Sequence, residues 1–223
     1  MTQKLRPPST PRPAPVLLAI AGICALLEVV FTLTDSPALD LSEVRRSAIL
    51  YGAFWPGLLE GWDSLFPGQR VTMFFSYAFL HGGFLHMTFN MLILIALGRQ
   101  AVGRLGQAGF LLVYLLCGVG AAVAFYVLNG SGTPMLGASG AVFGLFGTQV
   151  YWDIQARRML RLPIDQPLRL VVGLVVMNVL LWVVVGGMLA WEAHLGGFVT
   201  GAVLARIITP TPGHRYRKGM LRR

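Results

Sequence analysis

Apolar residues in this chain gather in long runs, without the strict alternation of half-buried strands or the narrow stripe of soluble helices. A helix crossing the hydrocarbon core needs roughly 20 mostly apolar residues, and six stretches approach that length. They run from about Pro15 to Leu33, Phe84 to Leu97, Ala108 to Leu128, Ser139 to Trp152, Leu168 to Leu189 and Ala193 to Ile208. The pattern predicts an all-α membrane protein with six transmembrane helices over residues 15–208, flanked by a basic amino-terminal segment, 1–14, and a basic tail, 209–223. The first stretch is read as a retained helix, because no small-residue cleavage site follows it before Asp35.

The segment between the first two stretches, about Thr34 to Gly83, is long and not featureless. Its middle, from Ala48 through Phe54-Trp55 to Trp62, is apolar and aromatic between acidic residues. That composition predicts a loop partly inserted at the membrane interface, where tryptophan is favoured, with a cap packed on the helices as the alternative.

Composition sharpens the picture: 55% of the residues are hydrophobic and 12% charged, which is membrane rather than soluble-domain usage. The net charge of +9 does not form a nucleic-acid-binding face. Lysine and arginine instead sort between the apolar stretches. Lys4, Arg6 and Arg12 precede the first, Arg99 and Arg104 follow the second, Arg157, Arg158, Arg161 and Arg169 lie around the link from fourth to fifth, and Arg206 through Arg223 end the chain. The opposite segments carry Arg45, Arg46 and Arg70 beside Asp35, Asp40, Glu43, Glu60, Asp63 and Glu192. Positive charge collects on the cytoplasmic side, so both termini are expected there. Cys24 and Cys117 are far apart and form neither a disulfide framework nor a zinc pattern.

Ionisable and polar residues inside apolar spans are costly, so each needs a reason. They are Glu28, His86, Asn90, Ser139, Asn178 and His194, with His81 just ahead of the second stretch. Ser139, within Gly137-Ala138-Ser139-Gly140, is placed at a helix amino terminus. Free backbone N–H groups and the positive dipole end favour developing negative charge there. The plain alternative is a serine N-cap among packing glycines. Two small-residue stripes favour chemistry: Gly140, Gly144 and Gly147 on one helix, and Gly197, Gly201 and Ala205 on another that begins near His194. If the stripes face each other, Ser139 and His194 meet at similar depth, as nucleophile and base. No orienting acid is apparent. Asp153 lies about 21 Å along the helix from Ser139, at 1.5 Å per residue, and Glu192 is too near His194 in sequence. His86 and Asn90, four apart on one helical face, could point N–H donors at an oxyanion. His81 is expected to brace the long loop. Three histidines also suggest zinc, but no HExxH or comparable spacing is present, so neither metal nor cofactor is expected.

Taken together, His81 to Asn90, Gly137 to Gly144, and Ala193 to Gly197 with Gly201 resemble the rhomboid family of intramembrane serine proteases, over roughly Gly68 to Ala205. The resemblance implies a six-helix rhomboid-like bundle with Ser139 and His194 as a catalytic dyad. It also implies an oxyanion hole from the Ser139 N–H, His86 and Asn90, with His81, Gly137, Gly140, Phe143, Gly197 and Gly201 in support. Two departures stand out. Gln69-Arg70 occupies the neighbourhood of a family Trp-Arg pair, and Phe143 replaces a frequent tyrosine while still able to stack on His194. Both the serine and the histidine that inactive relatives lack are present.

The implied activity is cleavage of single-pass transmembrane proteins within the lipid bilayer; the absence of a long amino-terminal presequence makes a bacterial inner membrane the expected location. Substrate entry is expected laterally, by displacement of the fifth helix over a Gly186-Gly187 hinge. A non-proteolytic protein that captures client helices, and a small transporter, are the competing classes; no internal repeat supports a transporter.

Overall fold

The computed structural model of the chain describes residues 14–129 and 132–208. Among them are seven α-helices and two 3-10 turns, with no β-strand. The helices are α1 (Pro15–Thr34), α2 (Glu43–Gly52), α3 (Gln69–Ser76), α4 (Phe84–Leu128), α5 (Ser139–Met159), α6 (Asp165–Val184) and α7 (Trp191–Ile208). Lys4, Arg6, Arg12 and the tail with His214 lie outside the described residues.

By length and composition, α1, α4 and α6 can cross a membrane. α5 takes the interior, and α7 packs its small residues against it while Leu195, Val199, Val203 and Ile207 stay exposed. Nearly the whole first half of α5, Gly140 through Leu145 with Gly147 and Thr148, is buried. A helix enclosed by other helices requires small residues for close approach more than a greasy outer face.

Several boundaries differ from the apolar stretches. The second and third stretches are joined through α4, because the link between them is rich in helix formers such as Arg99, Gln100, Ala101, Arg104 and Leu105. The break contracts to Gly106, whose φ of 74° leaves the helical region. α5 runs past Trp152 to Met159, helped by an Asp153–Arg157 pair at 2.9 Å and by basic residues in its last turn. α6 starts at Asp165 and ends at Val184, short of Leu189, because Gly186 and Gly187 turn the chain with φ of 63° and 84°.

The centre of the bundle is backbone against backbone. A β-carbon built on Gly201 would stand 1.9 Å from the Gly144 carbonyl oxygen, and one on Gly147 would stand 2.0 Å from that of Phe198. Thr148 Oγ1 donates to Gly144 O at 2.8 Å and lies 3.2 Å from Gly201 O, tying the two helices with one hydroxyl. The second half of α4 closes the third side. There Gly120 would meet Thr200, and Gly196 would meet Ala124 and the Gly120 carbonyl, if either carried a side chain. By contrast α6 buries only Pro167 and Leu174 along its length.

The segment from α1 to α4 is folded. Phe54 is fully buried, with its ring 5.0 Å from Phe74 and 6.2 Å from Tyr77 and Phe125, and its backbone forms a two-bond bridge with Met135. Tyr51, Trp62 and Leu65 point outward. Gln69 is a buried brace: its Oε1 accepts from Leu65 N–H and its Nε2 donates to Leu50 O, both at 2.8 Å. Arg70 donates to Trp62 O at 3.0 Å.

A second brace joins this segment to α1. Arg45 donates to buried Glu28 at 3.0 Å and to Asp35 at 2.5 Å, reaches the His81 carbonyl at 3.1 Å, and lies over the Phe31 ring. Burial works against the Arg45 charge, but Glu28 and Asp35 outweigh it and hold the guanidinium above its ordinary pKa. Glu28 thus has its reason for standing in an apolar span: it fixes the folded segment to the helix beneath it.

Candidate active site

Ser139 is the first residue of α5 and is half-buried. The N-cap is Ala138, which has no capping side chain, and no acid stands in the first turn. Ser139 therefore opens the helix rather than capping it, and no carboxylate competes for the first-turn amides. Gly137 leads in with φ of 121°, a conformation open to glycine at little cost, and its N–H donates to Tyr77 O at 2.9 Å.

α7 brings His194 to the same end of the bundle. A β-carbon on Gly197 would lie 1.9 Å from the Gly140 carbonyl oxygen, so the first turn of α5 meets the second turn of α7, just beyond His194, through main chain. His194 is buried and lies flat on Phe143, with ring centroids 4.1 Å apart and planes 4° from parallel. Phe143 is four residues beyond Ser139, on the same helical face.

α4 contributes its first turns. The His86 ring lies against Gly137: a β-carbon there would stand 2.8 Å from His86 Cε1 and 3.0 Å from Nε2. Gly82 N–H donates to His86 Nδ1 at 3.5 Å, which leaves Nε2 as the protonated nitrogen of a neutral ring. Asn90 is buried and its Nδ2 donates to the His86 carbonyl at 2.9 Å.

His81 sits outside the helix and is buried, its ring edge-on to His86 at 5.1 Å. It accepts from the Ala138 N–H at 3.4 Å through Nε2, one residue before Ser139. Burial, with His86 close by, pushes its pKa down to about 4, so it is neutral at physiological pH.

One participant lacks a partner in the sequence reading. Asn178 of α6 places Oδ1 2.5 Å from His194 Nδ1. An asparagine in an apolar stretch stands out by its cost, but its partner sixteen residues away becomes visible only when α6 and α7 are packed. A cavity of about 670 Å³ opens beside this pair, lined by Phe143, Leu174, Asn178, Trp182, Trp191 and His194 among mostly apolar side chains. Asp153 is committed to Arg157 near the other end of α5. Among the described residues no group of three His, Cys, Asp or Glu side chains is placed to hold a metal ion.

Residues 68–211 match the family model of the Rhomboid domain. The chain belongs to the rhomboid family. Relatives of this rhomboid include the rhomboid protease GluP of Bacillus subtilis, 39% identical over 80 residues, which are 36% of this chain and 15% of GluP. RHOMBOID-like protein 4 of Arabidopsis thaliana is 32% identical over 158 residues, 69% of this chain and 35% of that protein. YdcA of Bacillus subtilis is 28% identical over 202 residues, 91% of this chain and 92% of YdcA. The chain thus spans well under two thirds of GluP and RHOMBOID-like protein 4, and nearly all of YdcA. Family membership together with the apolar helices α1, α4 and α6 makes this rhomboid an integral membrane protein.

Proposed function

We propose that this rhomboid is an intramembrane serine endopeptidase that cuts single-pass membrane proteins in or beside their transmembrane helices. Ser139 Oγ attacks the scissile carbonyl carbon while His194 Nε2 takes its proton. The tetrahedral oxyanion is met by the Ser139 N–H and by side-chain N–H groups of His86 and Asn90. As the C–N bond breaks, His194 returns the proton to the leaving amine, and water then releases the acyl group by the same steps. The observation that supports this reading is the close main-chain approach of Gly140 and Gly197, of which Gly140 follows Ser139 directly and Gly197 stands three residues after His194 on its helix. Protease names among the relatives, GluP and a Rhomboid-type serine protease 2 of Emericella nidulans, point the same way.

In this reading the two halves of α4 count as separate crossings on either side of Gly106, and with α1, α5, α6 and α7 they make six. The termini face the cytoplasm of a bacterial inner membrane, and the outward Tyr51, Trp62 and Leu65 rest at the opposite interface. Substrate enters by displacement of α6, whose sparse burial and following Gly186-Gly187 turn suit an element that moves. A helical peptide bond hides its carbonyl, so the substrate must unwind locally before attack.

A fluorophosphonate probe tests the site directly. Wild type in detergent or liposomes is expected to be labelled, and Ser139→Ala and His194→Ala are not. Equal labelling of all three ends the protease reading and leaves a client-binding protein. Incubation with a generic single-pass substrate, with terminal mapping of the fragments, then locates the cut.

A further inference from the structure

We infer that Asn178 is a positioning residue, which holds the base His194 in the tautomer that carries its proton on Nδ1 and its lone pair on Nε2. This rests on the reading of Ser139 and His194 as nucleophile and base. The orientation of the Asn178 amide follows from its second bond. Its Nδ2 donates to Leu174 O at 2.9 Å, one turn back on α6, so Oδ1 is the atom turned toward α7. Oδ1 can only accept, and it lies 2.5 Å from His194 Nδ1; the ring must therefore donate there. A neutral imidazole has one N–H, and placing it on Nδ1 leaves Nε2 as the acceptor a serine hydroxyl needs.

The two contacts on His194 act on different freedoms. Phe143 lies parallel to the ring and restrains its tilt, while the bond to Asn178 fixes which ring nitrogen faces α6 and selects the tautomer. Neither alone does both. In a Ser-His-Asp triad a carboxylate fills the second role; here a neutral amide fills it, on a helix that gives neither the nucleophile nor the base. An amide adds no second buried charge beside the apolar cavity.

The experiment combines histidine ¹⁵N spectra with kinetics on the full chain in bicelles. Spectra are taken on wild type, Asn178→Leu and Asn178→Asp, with the His194 signals assigned by His194→Gln. Wild type is expected to show Nδ1 protonated and Nε2 unprotonated at His194. Asn178→Leu is expected to lose that preference and to lower kcat roughly ten- to a hundredfold with KM within about twofold. Asn178→Asp keeps an acceptor oxygen and is expected to restore the tautomer and most of kcat. Unchanged His81 and His86 signals report an intact fold, and Asn178→Val carries the same test if leucine disturbs them. The Nδ1–H tautomer persisting in Asn178→Leu overturns the inference, as does a loss of kcat that Asn178→Asp does not rescue. If wild type shows no Ser139-dependent cleavage, the protease reading fails by itself, and the spectra still decide whether Asn178 sets the tautomer.

Discussion

The carbonyl oxygen of Gly140 stands where a β-carbon on Gly197 would have to go, 1.9 Å from its position. The obstacle is backbone on a helix packed on several sides, so it cannot swing aside as a side-chain tip would. Gly197→Ala is therefore expected to push α7 off α5, lowering stability by about 1–3 kcal/mol as other overpacked cores do, and abolishing probe labelling. Gly173→Ala on α6, where a β-carbon meets open space, is the matched control and is expected to keep both. Thermal unfolding in detergent and fluorophosphonate labelling measure the two effects.

Phe143 makes a flat contact with His194 that needs an aromatic face and no hydroxyl. Such pairs contribute about 0.5–1.5 kcal/mol beyond the area they bury. Phe143→Ala removes the contact and opens space for the imidazole to tilt, and is expected to reduce kcat about tenfold or more. Phe143→Tyr is expected to stay within about threefold of wild type. Initial rates of substrate cleavage distinguish them.

Glu28 and Arg45 form an ion pair whose acid side chain is almost entirely out of solvent, at 1% exposure. Removing one member of such a pair strands the other, which costs about 3–5 kcal/mol when both are buried; the partial exposure of Arg45 puts this case at the lower end. Arg45→Ala is expected to destabilise more than Glu28→Gln, because it leaves the buried carboxylate without its main cation. The double variant is expected to be less damaged than the sum of the two, as a double-mutant cycle of unfolding free energies would show.

His81 gives stability a pH dependence of known sign. Its pKa falls from the ordinary 6.5 to about 4 in the fold, so between those values the unfolded chain binds a proton that the folded chain does not. Its contribution is complete above pH 6.5 and is lost as pH falls toward 4, by on the order of 3 kcal/mol. His81→Gln is expected to flatten that part of the stability profile, measured as melting temperature at pH 7 and pH 4.5. An equal slope in wild type and variant refutes the assignment.

The apolar runs made α1, α4 and α6 legible as helices able to cross a membrane, and the glycine spacing made the α5–α7 contact legible. Both signals are local: one is a length of hydrophobicity, the other a period on a helix face. What stayed hidden depends on packing between elements distant in the chain. Glu28 reads as an unexplained charge until Arg45 folds back onto it. Gln69 shows no role until its amide is seen between Leu50 and Leu65. Asn178 belongs to the same class, since neither its distance from His194 in sequence nor its own neighbours mark them as partners. The helix boundaries differ from the apolar stretches for a related reason, as apolar composition measures what a bilayer tolerates and not where hydrogen-bonded turns stop; α5 simply continues past its greasy part to Met159.

Because Asn178 rides on α6 and its bonding partner rides on α7, an outward excursion of α6 would stretch that bond as it widens the adjoining cavity. Admission of a client and readiness of the imidazole would then draw on one short contact in opposite directions. An open door would come with a slackened tool, and the cut would wait until the helix had settled back around whatever it had let in.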